Sequence, residues 1–408
     1  MMKLSSFITE QKNTHMEHLE DMIFNDGVEG ARMAINSLQN LRDMLAGHSR
    51  GKVNVTVKWD GAPAIFAGVD PADGQFFVAK KGIFNVNPQL FKTQSDIDAG
   101  LSGELKSKFS IALREFRKLG IRRGVFQGDL MFTRSDIKVA TIDGEKYYTF
   151  QPNTIVYAVP VNSSLGAQIK RAAIGVVWHT TYEGRAIKDM KASFGKGIID
   201  KMKNVSSVWM DDATYRDVSG NATFTASETE QVTSLLSEAG KVFRTISGDV
   251  LRLIRDDEEL KQKIKTFNNT YVRAGVPFPD PKSHVKGLYD YIMEWYQKEI
   301  DKKKTDKAKQ EWTAKRDRII STVFRYVGEL ERIFTLMNYI VQAKQMIVDK
   351  LNRASSLGTF LRTRNGLQAT NQEGYVAIDK IGQAVKIVDR LEFSRANFSP
   401  DVLKGWQK

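Results

Sequence analysis

The sequence of 408 residues contains no cysteine at all. This absence excludes disulfide bonds, cysteine-ligated zinc and a thiol nucleophile. Histidine is scarce too, with five residues that do not follow the spacing of a metal site. No apolar run approaches the roughly 18 residues that would cross a bilayer, and the N-terminus lacks the apolar stretch of a signal peptide. We therefore expect a soluble cytoplasmic protein that has no membrane partner.

The sequence also has fewer acidic than basic residues. It contains 48 aspartates and glutamates and 61 lysines and arginines, which gives a net charge of +13. A basic balance favours polyanionic partners, since binding to phosphates releases condensed counterions. The densest basic run begins with Lys302, Lys303 and Lys304. Two interpretations of this run are open: a solvated helix face, or a surface that follows the phosphates of a nucleic acid. We keep the three lysines as nucleic-acid-binding candidates.

The length and a hydrophobic content of 41% predict a globular chain of two or three domains. Residues 1–50 have the apolar spacing of helices, and residues 51–200 are mainly β, beginning with the alternating valines of residues 53–57. Residues 201–365 are mainly helical and strongly charged, and residues 366–408 return to strands. The expected class is therefore α+β, with antiparallel sheets, flanking helices and a large helical insertion or subdomain.

Lys58 stands where a predicted strand ends and a Gly-Ala-Pro turn begins. A lysine in this position projects from a rigid edge, and Gly61 allows close approach of the backbone. Its amine can attack phosphorus only when it is unprotonated, and the free pKa of roughly 10.4 must be lowered by burial or by a neighbouring cation. A nucleophilic Lys58 would thus need a second cation nearby and a metal ion on the leaving pyrophosphate.

The run 58–61 (KWDG) resembles the K-x-D-G motif of the covalent nucleotidyltransferases, the superfamily of ATP-dependent DNA and RNA ligases and mRNA capping enzymes. The resemblance implies that Lys58 becomes a lysyl-nucleotide and that Asp60 and Gly61 bind ATP. Residues 79–82 (AKKG) are similar to the Ser-Arg-x-Gly motif of the family. Lys80 and Lys81 would then contact ribose or phosphate, although a lysine does not offer the fork of an arginine.

Three later motifs follow in the family's order. Residues 126–130 (FQGDL) resemble the third motif, which implies that Asp129 holds ribose or a metal-bound water. Residues 372–377 (QEGYVA) resemble the fourth motif, so Glu373 would support the metal. Residues 385–388 (VKIV) resemble the fifth, Lys-x-Lys, in which Lys386 would contact the α-phosphate and help to lower the pKa of Lys58. Val388 stands in place of the second lysine, for which Lys380 is one substitute.

The family also stacks an aromatic ring on the purine between its third and fourth motifs. Tyr157 and Trp178 are the two candidates in this chain. An ordinary core position is the alternative for each of them. His179, which follows Trp178, is expected to be structural.

The chain ends shortly after Lys386 and leaves no room for the OB-fold of DNA ligases and capping enzymes. This favours the RNA ligase branch, and the Glu-Gly-Tyr-Val-Ala sequence is similar to that of phage tRNA-repairing ligases, which act in the host cytoplasm. The resemblance implies transfer of AMP from ATP to a 5′-phosphate and sealing to a 3′-hydroxyl. ATP and Mg²⁺ (or Mn²⁺) are the expected cofactors, with Asp129 and Glu373 at the metal.

Three alternatives stay open at this point. The chain could be a DNA ligase, a nucleotidyltransferase with an acceptor other than nucleic acid, or an inactive nucleic-acid-binding or virion protein with the same fold. Among acceptors, RNA is favoured over DNA. The sequence does not determine the oligomeric state.

Overall fold

The structure is a computed structural model and describes residues 18–47, 53–194, 197–213, 223–353, 358–364, 366–379 and 384–405. Helices account for 53% and strands for 22% of the structure, and most strand pairs are antiparallel. The predicted combination of helices with antiparallel sheets is therefore confirmed at this level.

The strands form three sheets. Sheet A has the order β1-β14-β15, sheet B has the order β10-β9-β5-β2-β3-β4 with β11 paired to β9, and sheet C has the order β13-β12-β8-β7-β6. The strand bounds are β1 (Val53–Lys58), β2 (Ala64–Val69), β3 (Phe76–Ala79), β4 (Leu90–Phe91), β5 (Val125–Thr133), β6 (Lys138–Ile142), β7 (Glu145–Phe150), β8 (Ile155–Pro160), β9 (Ile174–Glu183), β10 (Lys191–Phe194), β11 (Val208–Asp211), β12 (Gly358–Thr363), β13 (Gly366–Ala369), β14 (Gly374–Asp379) and β15 (Ala384–Ile387).

The helices fall into two groups along the chain. Those before β1 and between β11 and β12 pack into one body, which we call the helical lobe (α1, α2 and α6–α11). The bounds are α1 (Met22–Asn25), α2 (Gly27–Leu45), α3 (Gln94–Gly100), α4 (Gly103–Phe116), α5 (Ser164–Arg171), α6 (Ala226–Thr245), α7 (Gly248–Asp256), α8 (Glu258–Ala274), α9 (Pro281–Asp301), α10 (Asp306–Arg325), α11 (Val327–Asn352) and α12 (Arg390–Phe398).

Local sequence explains where several helices begin. Thr225 caps α6, and its side chain and that of Glu228 satisfy each other's backbone N–H groups in a capping box. Asp280 caps α9 and is followed by proline at the first helical position, where no N–H donor is needed. Helix α4 is extended by a 3₁₀ turn, Arg117–Leu119.

One face of sheet A is built into the helical lobe. Val55, Tyr375, Ala377, Val385 and Ile387 share a hydrophobic core with α2, α6 and α11. Because side chains alternate along a strand, the residues between them face away from the lobe. The fold thus fixes which side of sheet A carries the lysine of β1.

The ends of the predicted helical region differ from the expectation. Helices fill residues 226–352, but β11 pairs with β9 and β12 pairs with β8, so both flanks of the stretch 201–365 belong to the sheets. These short strands have no clear alternation of their own, and their partners are distant in sequence. Among the described residues, no helix is both long and apolar enough to span a bilayer.

Candidate active site at the end of strand β1

Lys58 is the last residue of β1, and its backbone partner is Gly374 of β14. The residue before Gly374 is Glu373, whose Oε1 forms an ion pair with the Nζ of Lys58. The lysine side chain is 28% exposed and the glutamate side chain only 9%. Strand pairing therefore brings the first and fourth motifs into direct contact, although more than 300 residues of chain lie between them.

Asp129 of β5 lies against the turn that follows Lys58. A Cβ atom on Gly61 would come within 2.4 Å of the Asp129 Cβ, so only glycine allows this approach. Two backbone hydrogen bonds hold the turn on β5: Ala62 N–H donates to Leu130 O (3.0 Å), and Leu130 N–H donates to Pro63 O (3.1 Å). The third motif is thereby fixed beside the first.

We use the term cleft for the space around Lys58, Asp129 and Glu373. It holds more acidic groups than its one lysine can neutralise. Burial raises the pKa of Glu373 to about 7, against the opposing effect of Lys58, and the charges of Asp60 and Asp129 raise it further. Burial likewise raises the pKa of Asp129 to about 7, with Lys58 opposing and Asp60 adding to the shift. Clustered carboxylates with raised pKa values are typical of functional sites.

Asp60 has a different position from the one that the motif implied. Its carboxylate is buried and accepts hydrogen bonds from Asn153 Nδ2 (2.6 Å), Thr154 N (2.6 Å) and Ile155 N (2.7 Å). A carboxylate used in this way has little capacity left for a ligand. Asp60 therefore positions Lys58 by tying the β1–β2 turn to the start of β8.

Neither predicted stacking ring faces the cleft. Tyr157 is fully buried, and its hydroxyl accepts a hydrogen bond from the Asp60 N–H at 2.8 Å. It therefore stabilises the turn from the protein interior. Trp178 is also fully buried, with ring contacts to Phe116 and Phe126. Both positions are core positions, which was the stated alternative to stacking on a purine.

His179 is the ring that the structure places at the cleft. Its Nε2 lies 3.7 Å from Asp129 Oδ2, and its Nδ1 lies 2.8 Å from Thr180 Oγ1. Burial and the charge of Lys58 lower its pKa to about 4, so the ring is neutral at pH 7. The pairing of β9 with β5 changes register between Gln127 and Gly128, so the alternation of side chains along β9 is interrupted at His179. The sequence alone does not predict this shift. The expectation that His179 is structural stays a prediction.

Lys386 lies on β15 opposite Val376. Its strand neighbours Val385 and Ile387 face the helical lobe, so Lys386 faces the side of sheet A that also carries Lys58. It forms a backbone bridge with His18, whose pKa is lowered chiefly by burial and further by nearby charges that include Lys386. Val388 is buried beside Gly374, where a Cβ atom would meet the valine Cγ2 at 2.6 Å. Lys380 lies outside the described residues.

The remaining predicted site residues lie outside the group that Lys58, Asp129 and Glu373 form. Lys80 follows β3, and its Nζ is 6.0 Å from the ring centroid of Phe91. Lys81 is exposed and precedes Gly82, which has a positive φ of 105°. Lys302, Lys303 and Lys304 directly follow α9 in the link to α10 of the helical lobe.

A divalent cation fits the cleft by donor chemistry. Mg²⁺ is commonly held by one or two carboxylates together with substrate phosphates and water. Asp129 and Glu373 supply two carboxyl groups, whose pKa values are raised chiefly by burial and further by the charge of Asp60. No group of three or more potential metal ligands occurs within the described part of the chain, so the phosphates of a substrate would complete such a site.

Comparison with known proteins gives a family but no activity. Residues 13–401 match the model of a family of unknown function, DUF6267. Neither the curated proteins nor the solved structures contain a significant match to the chain. Because the family model covers nearly the whole sequence, the chain belongs to the DUF6267 family, whose function is unknown.

Proposed function

We propose that this protein is an ATP-dependent polynucleotide ligase that acts through a lysyl-AMP on Lys58, with RNA as the favoured acceptor. The observation that carries the proposal is the contact of Lys58 with Glu373 in a cleft where Asp129 and Glu373 both have pKa values near 7. These are the three side chains to which the family resemblance assigns nucleophile and metal-binding roles. The ligase-type fold of the sheets is part of the same proposal.

In the first step the Nζ of Lys58 attacks the α-phosphorus of ATP. A nitrogen–phosphorus bond forms, the bond to the bridging oxygen breaks, and pyrophosphate leaves. The ammonium form cannot attack, so the ion pair with Glu373 is a resting state from which Lys58 must be released. The 28% exposure of the lysine side chain leaves a path for its proton to water.

Asp129 and Glu373 would hold Mg²⁺ or Mn²⁺, which when bound supplies charge neutralisation at the phosphates. The protein itself supplies position. Asp60 and Tyr157 fix the turn after Lys58 through buried hydrogen bonds, so the nucleophile projects from a rigid edge. AMP then passes from Lys58 to a 5′-phosphate, and a 3′-hydroxyl displaces AMP to seal the strand.

Incubation with α-labelled ATP and Mg²⁺ or Mn²⁺ tests the first step. We expect a labelled protein band for the wild type and none for Lys58→Ala, whereas Lys138→Ala, an exposed lysine of β6, serves as the matched control and keeps the label. Absence of label from the wild type with either metal would refute the enzyme proposal.

A chase with unlabelled acceptor tests the later steps. Label that moves onto 5′-phosphorylated RNA supports the RNA ligase, and preferential transfer to nicked DNA would instead indicate a DNA ligase. Label that stays on the protein with both acceptors points to an acceptor other than nucleic acid.

One observation favours a second candidate, an inactive nucleic-acid-binding protein with the same fold. Val388 occupies the position of the second basic residue in the fifth motif, and it is buried next to Gly374. A phosphate contact is thereby lost at that point of the cleft. The labelling experiment separates the two candidates directly.

A further inference from the structure

The link between α9 and α10, together with the first turns of α10, combines an excess of positive charge with a cluster of aromatic rings. Between residues 302 and 315 the only acidic side chains are Asp306 and Glu311, against six lysines: Lys302, Lys303, Lys304, Lys307, Lys309 and Lys315. All of these lysines except Lys303 are exposed. We call the segment 302–315 the hairpin tip.

The six lysines are not equivalent. Lys302 is paired with Glu299 at 2.6 Å, and Lys303 lies 3.8 Å from the same carboxylate. Lys304, Lys307 and Lys309 make no ion pair or side-chain hydrogen bond with any residue that the structure describes. An ordinary solvated face is different, as in the preceding turn of α9, where Lys298 pairs with Glu294 at 2.6 Å.

Trp312 lies on α10 next to these lysines. The Nζ of Lys303 is 4.0 Å and the Nζ of Lys315 is 5.1 Å from its ring centroid, so one ring holds two ammonium groups by cation–π contact. Behind it, Trp295 and Tyr296 have their ring centroids 6.2 Å away. The half-buried indole is therefore fixed by the helical lobe, and the cations around it are ordered before any ligand arrives.

We propose that the hairpin tip binds single-stranded nucleic acid, with Lys304, Lys307 and Lys309 contacting its phosphates and Trp312 serving as a platform for a base. Proteins that bind single strands without reading sequence combine a cationic track with aromatic stacking in this way. The inference rests on the proposed function for the identity of its strand, the acceptor RNA. The surface is separate from Lys58, and binding to it needs no ATP.

Binding is measured with the Lys58→Ala protein and a fluorescent single-stranded RNA of about 20 nucleotides. The triple change Lys304→Glu, Lys307→Glu and Lys309→Glu is expected to lower affinity at least tenfold at low salt. Since each phosphate contact to a single strand contributes about 0.7 to the salt dependence, the slope of log K against log salt should decrease by about 2.

The matched control reverses Lys138, Lys146 and Lys170, which are exposed lysines outside the helical lobe and carry the same total charge. This control is expected to leave the slope unchanged. An equal loss of affinity in the control would mean that net charge alone drives binding, and it would overturn the proposal.

Trp312 separates a strand-binding surface from a simple polyanion patch. Trp312→Leu should weaken RNA binding about fivefold or more and leave binding of heparin unchanged, while Trp312→Phe retains most of the RNA affinity. Equal binding of RNA by the wild type and Trp312→Leu would overturn the stacking role. Urea unfolding of each variant shows whether the helical lobe is still folded.

The two proposals fail in different ways. If the wild type takes no label from ATP but loses RNA affinity through the triple change, the surface stands and the ligase proposal falls. If the wild type is labelled but the triple change affects neither affinity nor salt slope, the ligase proposal stands and the surface falls.

Discussion

Two clusters of buried charge in this molecule have opposite electrostatic character. Where the helical lobe meets α12, Lys344 donates to both carboxylate oxygens of Glu20 at 2.8 Å, and Arg390 lies 3.2 Å from Asp21. Two acids face two bases there. In the cleft, Lys58 faces Glu373, Asp129 and Asp60, and the charge of Lys404 also acts on Asp60.

The carboxylate pKa values record the difference. Burial alone would raise the pKa of Glu20, but the charges of Lys344 and Arg390 outweigh it and lower the pKa to about 2. In the cleft the same burial dominates, and the pKa values of Asp129 and Glu373 rise to about 7. Asp21 in the first cluster behaves differently from Glu20, because burial raises its pKa although the charge of Arg390 opposes the shift. This cluster joins α11 and α12 to the N-terminal segment. The comparison teaches that a buried carboxyl group keeps a low pKa only where the charges of its cations outweigh the effect of burial.

The largest difference is expected when the central lysine of each cluster is replaced in turn. Lys58→Ala should abolish labelling by ATP and change the free energy of unfolding by less than about 1 kcal/mol, because Glu373 can take up a proton. Lys344→Met should destabilise the fold by about 3–5 kcal/mol, because it leaves Glu20 buried without its closest cation. Chemical unfolding and label incorporation measure both effects. Severe destabilisation by Lys58→Ala would remove the distinction between the clusters.

A divalent cation should stabilise the cleft but not the cluster around Glu20. At a concentration 100 times its dissociation constant, Mg²⁺ or Mn²⁺ together with ATP should add about 3 kcal/mol to the free energy of unfolding. Asp129→Asn should remove most of this gain, which thermal unfolding with and without EDTA would report. Glu183→Gln, which changes an exposed carboxylate in the same sheet, is the control. A gain that survives Asp129→Asn would place the cation elsewhere.

Gly61→Ala probes how closely the cleft is packed. The added methyl group would meet the Asp129 Cβ at 2.4 Å and push the turn away from β5. We expect a loss of about 1–3 kcal/mol in stability and a larger relative loss of labelling, because Lys58 moves with the turn. Gly328→Ala, in α11, is the control, because a Cβ there would meet nothing within 4 Å and the residue, like Gly61, does not have a positive φ. Full labelling of Gly61→Ala would contradict the rigid placement of Lys58.

Glu20 should also differ from Asp129 and Glu373 in the sign of its contribution to the pH dependence of stability. Between the ordinary carboxyl pKa and about 7, the folded cleft keeps protons on Asp129 and Glu373 that the unfolded chain has lost, so stability falls as pH rises. Glu20 acts oppositely, because its low pKa means that stability falls as pH drops from 4.5 towards 2. The double change Asp129→Asn and Glu373→Gln should remove up to about 1 kcal/mol per pH unit and per group between pH 5 and 7.

The difference between wild type and double variant isolates the cleft, because other groups titrate in the same window. His179 and His284 have pKa values lowered to about 4 by burial and therefore favour the folded state at higher pH. Urea unfolding in EDTA at several pH values gives both curves. Parallel curves would show that the two carboxylates are not raised in the metal-free protein.

Much of the sheet content was predictable from local pattern. The alternation of β1 and the apolar runs of β3, β5, β8, β14 and β15 correspond to strands of the structure. β11 and β12 were not predicted, because their stability comes from pairing with β9 and β8 rather than from their own four to six residues. The same reason explains why strands occur at both ends of the stretch that was expected to be mainly helical.

The candidate site was predictable only in part. Motif resemblance selected Lys58, Asp129 and Glu373, which the structure brings together, but it also selected Asp60 and Tyr157 as ligand contacts. Their buried hydrogen bonds instead support the turn. The position of the His179 ring was not predictable, because a register shift decides which side of the sheet it faces.

The sequence by itself determined the chemistry that is available: no thiol, an excess of lysine, and a lysine at a strand end before a glycine turn. It could not determine which charges meet, because Coulomb interactions and burial depend on distance in space and not on order in the chain. Only the tertiary structure decided that Lys58 faces several acidic side chains, whereas Lys344 is paired with Glu20. That difference follows from the pairing of β1 with β14 and the packing of α11 against the N-terminal segment.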